Sequence, residues 1–438
     1  MKRTGAMLLV LACGTLAAEA PAAQPLAAHS VPLGSTDAAD SLLSLAAPPG
    51  PDGGPGATQR VGSGVAPRVS VFPDGAFVVA WRGPSSHQGA APTLFARLFD
   101  RNGVPTSDAI ELLPPVHRSL DSVAALPGGF VVVWSQLLAH QLGVFARLFD
   151  LAGSPLGGPF KVHADSPFDR CCALAVAAPG GGFEIEWSAD QNRFHGMVSQ
   201  VVRQAFDAAG LPQGPEPVDP PELPGPVDGD SFEPLAALVA GHGTLTDVAI
   251  AYGSGTDLYL SRFVFGLSAG RSVNLDTVDL YGYKAFRPTP AVSFAADGDF
   301  VVVWPTGGFF SLSSSILAHR YSGRDGSLLE HDPVQISLRS GLEVNPAVAA
   351  VRGGYVVAWT ELDGSNPDRK PSALFARWFK NDGIPASREF RLSGRGASNP
   401  DETALAATPG GDVVAVWAQD DPGRRRGVHL RILRAPAD

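Results

Sequence analysis

What most constrains the fold of this chain is a short stretch, Gly128-Gly129-Phe130-Val131-Val132-Val133-Trp134, that returns along most of its length. Gly75-Ala76-Phe77-Val78-Val79-Ala80-Trp81 precedes it. Gly181-Gly182-Phe183-Glu184-Ile185-Glu186-Trp187, Gly298-Asp299-Phe300-Val301-Val302-Val303-Trp304, Gly353-Gly354-Tyr355-Val356-Val357-Ala358-Trp359 and Gly410-Gly411-Asp412-Val413-Val414-Ala415-Val416-Trp417 follow. A worn copy, Thr246-Asp247-Val248-Ala249-Ile250-Ala251-Tyr252, ends in Tyr instead. From one closing aromatic to the next the steps are 53, 53, 65, 52, 55 and 58 residues. Repetition at this period overrides the two or three domains that 438 residues would otherwise suggest.

Each unit reads as four short strands. An Ala- and Val-rich strand such as Ser122-Val123-Ala124-Ala125-Leu126 turns tightly at Pro127-Gly128-Gly129 into the Phe-Val-Val-Val-Trp strand. A third resembles Val144-Phe145-Ala146-Arg147-Leu148-Phe149-Asp150, and a turn at Leu151-Ala152-Gly153 leads to a fourth, Pro159-Phe160-Lys161-Val162. The second strand is apolar on both faces, as a strand packed from both sides must be. No sustained helical period occurs, and 50 Gly with 39 Pro suit many short strands and turns. The expectation is an all-β chain forming a seven-bladed β-propeller with four-stranded blades. The last unit stops after its third strand, His429-Leu430-Arg431-Ile432-Leu433, while an orphan strand, Thr58-Gln59-Arg60-Val61, precedes the first unit. That N-terminal strand is expected to complete the last blade and remove two exposed edges.

Over residues 57–434 the chain resembles the uncharacterised G-G-F-V-V-x-W repeats of secreted bacterial proteins, a likeness that implies a repeat scaffold and no particular activity. It lacks sialidase-type S-x-D-x-G-x-T-W boxes and the D-x-D-x-D-G calcium loops of integrin-type blades. Lys2 and Arg3, the apolar run Ala6 to Ala12 and the small residues after it read as a signal peptide over residues 1–24, making the chain secreted or periplasmic. Lipid anchoring at Cys13 is the lesser alternative. Residues 25–56, rich in Ala, Pro and Gly, read as a flexible tether, and 57–438 as the propeller. A net charge of −10 argues against nucleic acid, and no apolar run is long enough to span a bilayer. A monomer with no cofactor and no metal is expected.

Residues common to every unit serve packing, so the departures are the candidates for function. Arg97, Arg147, Arg262, Arg377 and Arg431 share one position in strand three and read as stacking on the blade's aromatics. Asp100, Asp150 and Asp207 read as turn formers that accept backbone hydrogens. Glu184 and Glu186 replace two valines and point to one face of a strand, with Arg193, His195 and Arg203 as nearby partners. They are an acid/base pair on a sugar, two metal ligands, or carboxylates paired with one of these partners. Cys171 and Cys172 are adjacent, either as free thiols or as a vicinal ring. Tyr281, Tyr283, Lys284, Phe286, Arg287, Phe309 and Phe310 lie in long connections expected at one end of the ring, where aromatics could hold a sugar or an extended peptide. The leading functional expectation is an exported, non-catalytic module binding a glycan or an extracellular protein through its long-loop face. The alternative is an extracellular glycan hydrolase or lyase using Glu184 and Glu186.

Overall fold

The computed structural model describes residues 56–436 except 86–90, 115–117, 139–140, 165–168, 179, 191–198, 215–236, 241–246, 255–256, 265–271, 277–290, 296, 307–312, 324–326, 339–340, 364–369 and 395. Among the described residues the chain is all-β and forms seven four-stranded antiparallel sheets. A first strand, β1 (Gln59–Ser63), stands before them. Sheet one is β2 (Val65–Val71), β3 (Phe77–Gly83), β4 (Thr93–Phe99) and β5 (Ile110–Glu111). Sheet two is β6 (Arg118–Leu126), β7 (Gly129–Leu138), β8 (Gln141–Asp150) and β9 (Phe160–Lys161). Sheet three is β10 (Asp169–Ala177), β11 (Phe183–Asp190), β12 (Ser199–Phe206) and β13 (Pro212–Gln213). Sheet four is β14 (Ala237–Ala240), β15 (Asp247–Ser254), β16 (Asp257–Val264) and β17 (Ser272–Asp276), described at the backbone. Sheet five is β18 (Ala291–Phe294), β19 (Phe300–Pro305), β20 (Ile316–Tyr321) and β21 (Val334–Gln335). Sheet six is β22 (Leu342–Val351), β23 (Gly354–Leu362), β24 (Pro371–Lys380) and β25 (Phe390–Arg391). Sheet seven is β26 (Ser398–Ala407), β27 (Val413–Asp420) and β28 (Gly427–Leu433), with β1 as its fourth member, paired to β28.

Sheets stack because the second strand has two apolar faces. Phe183, Ile185 and Trp187 of β11 pack back onto Val131 and Val133 of β7. In the same way Phe130, Val132 and Trp134 pack onto Val78 and Ala80 of β3. Sheets five and six, six and seven, and seven and one are joined by equivalent clusters. The tryptophans from Trp81 to Trp417 are buried, Trp134 among them at 1% exposure. Removing this much apolar surface from water is the main force that holds such layers together. The inner strands β2, β6, β10, β14, β18, β22 and β26 touch one another in that order, and β26 touches β2.

Hydrogen bonds between sheets explain further residues. Ser70, Ser122 and Ser293 each accept the amide of an inner-strand residue one sheet on, Ala125, Ala175 and Ala350, at 2.9 Å in every case. Three of the arginines of strand three stack as expected. Arg97, Arg147 and Arg377 lie over Phe99, Phe149 and Phe379, and each donates to a carbonyl of the preceding sheet. Those carbonyls belong to Val61, Leu112 and Ile336, so β1 stands toward sheet one as the outer strands stand toward sheets two and six. Arg262 departs from the sequence expectation. It pairs with Ala249, whereas Arg147 pairs with Val132, two residues before Trp134, and Ser261, opposite Ile250 two residues before Tyr252, holds the corresponding place in sheet four. The offset in register is one residue. The turn aspartates behave as expected, the Oδ1 atoms of Asp100, Asp150 and Asp207 each accepting two backbone amides.

Candidate functional site

Every inner strand with described side chains and a resolved bulge places that bulge opposite the repeat's aromatic. Ala66-Pro67 face Trp81, Leu120-Asp121 face Trp134, and Cys172-Ala173 face Trp187. Asn345-Pro346 face Trp359, and Glu402-Thr403 face Trp417. A bulge sets one residue outside the ladder and re-aims its side chain. The backbone there is unusual as well: Ala66, Asn345 and Glu402, the first residue of their bulges, have φ of 51°, 51° and 59°. Non-glycine residues hold such angles only where surrounding contacts fix them. Those contacts run between sheets. The Ala66 amide donates to Glu402 Oε2 at 2.7 Å, and Asn345 Nδ2 donates to Asp401 Oδ1 at 3.2 Å. Thr360 Oγ1 donates to the same Asp401 oxygen at 3.1 Å.

Asp121 is the most heavily engaged member of this collar. The Ser135 hydroxyl donates to its Oδ2, and so does the Ala173 amide of sheet three, at 3.3 Å. Arg68 of sheet one donates from Nε to the Asp121 carbonyl at 2.8 Å. Asp121 is half-buried where the inner strands of three sheets meet. Burial pushes its carboxyl up to about 7, against the pull of Ser135, Ala173 and Arg68. Sequence reading missed Asp121 because it lies in a strand that scans as scaffold.

Glu184 and Glu186 do share one face, as expected, but that face turns away from the collar. Phe183, Ile185 and Trp187 pack onto sheet two, so the two glutamates lie on the side toward sheet four, 6% and 1% exposed. Glu186 pairs directly across the ladder with Arg203. Burial raises Glu186 to about 8, with Arg203 opposing the shift and Glu184 adding to it. Glu184 is raised by burial too, again opposed by Arg203. Both carboxyls are thus buried beside Arg203, the arrangement expected of carboxylates neutralised by a cation. Tyr281, Tyr283, Lys284, Phe286, Arg287, Phe309 and Phe310 lie outside the described residues, as do Arg193, His195 and the side chains of Cys171 and Cys172. Among the described residues no three His, Cys, Asp or Glu side chains gather to hold a metal, and no helix is long and apolar enough to cross a membrane.

No protein-family model and no curated protein matches this chain. Solved structures do. An ulvan lyase, from a new polysaccharide lyase family and bound to -[GlcA(1-4)Rha3S]-, is similar over 86% of this chain and 94% of its own, with 12% identity and a TM-score of 0.51. The α-L-arabinanase of Penicillium chrysogenum complexed with arabinobiose matches over 87% and 98%, with 11% identity and a TM-score of 0.45. The NanB sialidase of Streptococcus pneumoniae covers 85% of this chain and 68% of its own, with 9% identity and a TM-score of 0.39. The likeness to the lyase supports a propeller-like all-β fold. The likeness to a polysaccharide lyase counts against the leading expectation of a non-catalytic binding module and favours its alternative.

Proposed function

We propose that the chain is a glycan-active enzyme, a hydrolase or a lyase, built on a closed seven-bladed propeller whose last blade is completed by β1. The cycle of inner-strand contacts and the shared role of the Val61, Leu112 and Ile336 carbonyls support the closure. One observation carries the enzymatic reading. At and beside the inner-strand bulges stand Arg68, Asp121, Asn345, Asp401 and Glu402, partly exposed and held by hydrogen bonds between neighbouring sheets. Partly exposed ionisable groups held by hydrogen bonds between sheets suit acid–base chemistry on a glycosidic bond. The fold shared with an ulvan lyase names the substrate class to try first. Export, read from the leader, would place that substrate outside the cytoplasm.

The test is degradation of ulvan, arabinan and sialylated glycans by the full chain. New reducing ends are measured alongside the ultraviolet absorbance of unsaturated products. Shortening of at least one of these polymers is expected. No cleavage of any of them, by folded protein across the pH range in which it stays folded, would refute the enzymatic reading.

A further inference from the structure

The second residue of the inner-strand bulge is Pro67 in sheet one, Ala173 in sheet three, Pro346 in sheet six and Thr403 in sheet seven. Packing opposite the tryptophan is therefore met by small or neutral side chains. Sheet two alone among these five places a carboxyl there, Asp121. We infer that Asp121 is the group that passes a proton to the leaving sugar oxygen, an assignment that rests on the glycan-active reading above.

Three features of its setting fit that task. The bulge between Leu120 and Ser122 removes Asp121 from the ladder, so its side chain is not committed to the sheet's own stacking. The Ser135 hydroxyl and Ala173 amide both hold Oδ2, which fixes the carboxyl's orientation without enclosing the residue. Arg68, anchored on the Asp121 carbonyl, places a positive charge beside it that steadies the carboxylate left after the proton departs. A carboxyl held near neutrality by burial can both give and regain a proton at the pH where most proteins work.

The step balances in either reaction. The C–O bond to the leaving sugar breaks, its electron pair stays on the oxygen, and that oxygen takes the Asp121 proton. In hydrolysis water supplies the hydroxyl to the anomeric carbon, and its remaining proton restores Asp121. In elimination the proton lost from the sugar ring, as the carbon–carbon double bond forms, restores it instead.

Because the proton must be present, activity should fall as pH rises past about 7. The experiment compares wild type, Asp121→Asn and Ser135→Ala on the polymer that wild type cleaves best among ulvan, arabinan and sialylated glycans, with thermal melts of each. Asp121→Asn should lose about 10²–10⁴-fold in kcat. Ser135→Ala removes a hydrogen bond that lowers the carboxyl's pKa, so the alkaline limb of the rate profile should move to higher pH. A merely structural role for Asp121 would not move that limb. If Asp121→Asn does not fold, the Ser135→Ala shift alone decides. An active wild type whose alkaline limb ignores Ser135→Ala, or an Asp121→Asn variant as active as wild type, overturns the assignment and leaves the glycan reading standing. A wild type inactive on all three polymers overturns both.

Discussion

The junction of the first and last strands makes a sharp prediction. Arg60 of β1 donates from Nε to Asp421 Oδ2 at 2.8 Å, and His429 of β28 meets the other oxygen, Oδ1, at 2.9 Å. Arg60 and His429 also face each other across the ladder, and His429 stacks on Trp417. Asp421 and His429 are 10% and 9% exposed in their side chains, Arg60 29%. One carboxylate thus clasps the first strand and the last. Asp421→Asn keeps the shape but removes the charge and one acceptor. A hydrogen bond to a charged group contributes about 1.5–3 kcal/mol, and partial exposure of Arg60 screens its share, so a loss of about 2–3 kcal/mol is expected. With an unfolding entropy of roughly 2 cal/mol/K per residue over a body this size, that is about 3 °C in Tm. Urea unfolding at neutral pH gives the free energy, and scanning calorimetry the Tm.

The pH dependence carries a second, independent sign. Burial alone would raise the Asp421 carboxyl, but Arg60 and His429 outweigh it and hold it below its ordinary value. Its contribution is present above that ordinary value, about 4, and lost as pH falls through the lowered one. Burial lowers His429 against the pull of Asp421, so its contribution is present above about 6.5 and fades as pH falls. In the gap between wild type and Asp421→Asn the two act oppositely: the gap should grow as His429 gains its proton, because Asp421 favours the charged ring, and close in stronger acid as Asp421 itself is protonated. Equal midpoints at neutral pH, or a gap that persists undiminished well below the Asp421 value, would refute the clasp.

Two further outcomes test the packing. Trp134→Ala, at a site 1% exposed between sheets one and two, should cost about 3–5 kcal/mol in urea unfolding; a near-normal midpoint would count against its role in the core. Glu186, raised to about 8 by burial, makes the fold progressively less stable as pH rises from its ordinary value of about 4.3. Glu186→Gln should flatten that decline across the same window, and a pH–stability curve identical to wild type would remove the buried titration.

Strand order, turns and the pairing of the first strand with the last were legible because each leaves a local mark. Gly follows Pro or Asp at the tight turns, valines fill both faces of the second strand, and the fourth strand is missing at the chain's end. The arginine position was legible for Arg97, Arg147 and Arg377, each followed two residues later by the Phe it covers. It failed at Arg262, because a spacing counted along the worn repeat carries no register and only the ladder to Ala249 reveals the offset. The inner-strand bulges were not legible at all. Leu120-Asp121 and Asn345-Pro346 share no residue type, so nothing in composition says that both stand opposite a tryptophan. The serines at 70, 122 and 293 read as small residues for a crowded strand, though what they do is accept amides from the next sheet.

Departure from a repeat is therefore not one signal but two, and solvent separates them. Glu184 and Glu186 depart on the stacking face, where a carboxyl replaces valine and is answered by Arg203; such a change alters how two sheets meet and titrates inside the protein. Asp121 departs at a bulge, where the ladder is already broken and the side chain keeps a share of solvent. The glutamates attract attention first because two valines are lost at once. A repeat scaffold read this way points to its function through residues that break the pattern where packing has already let go.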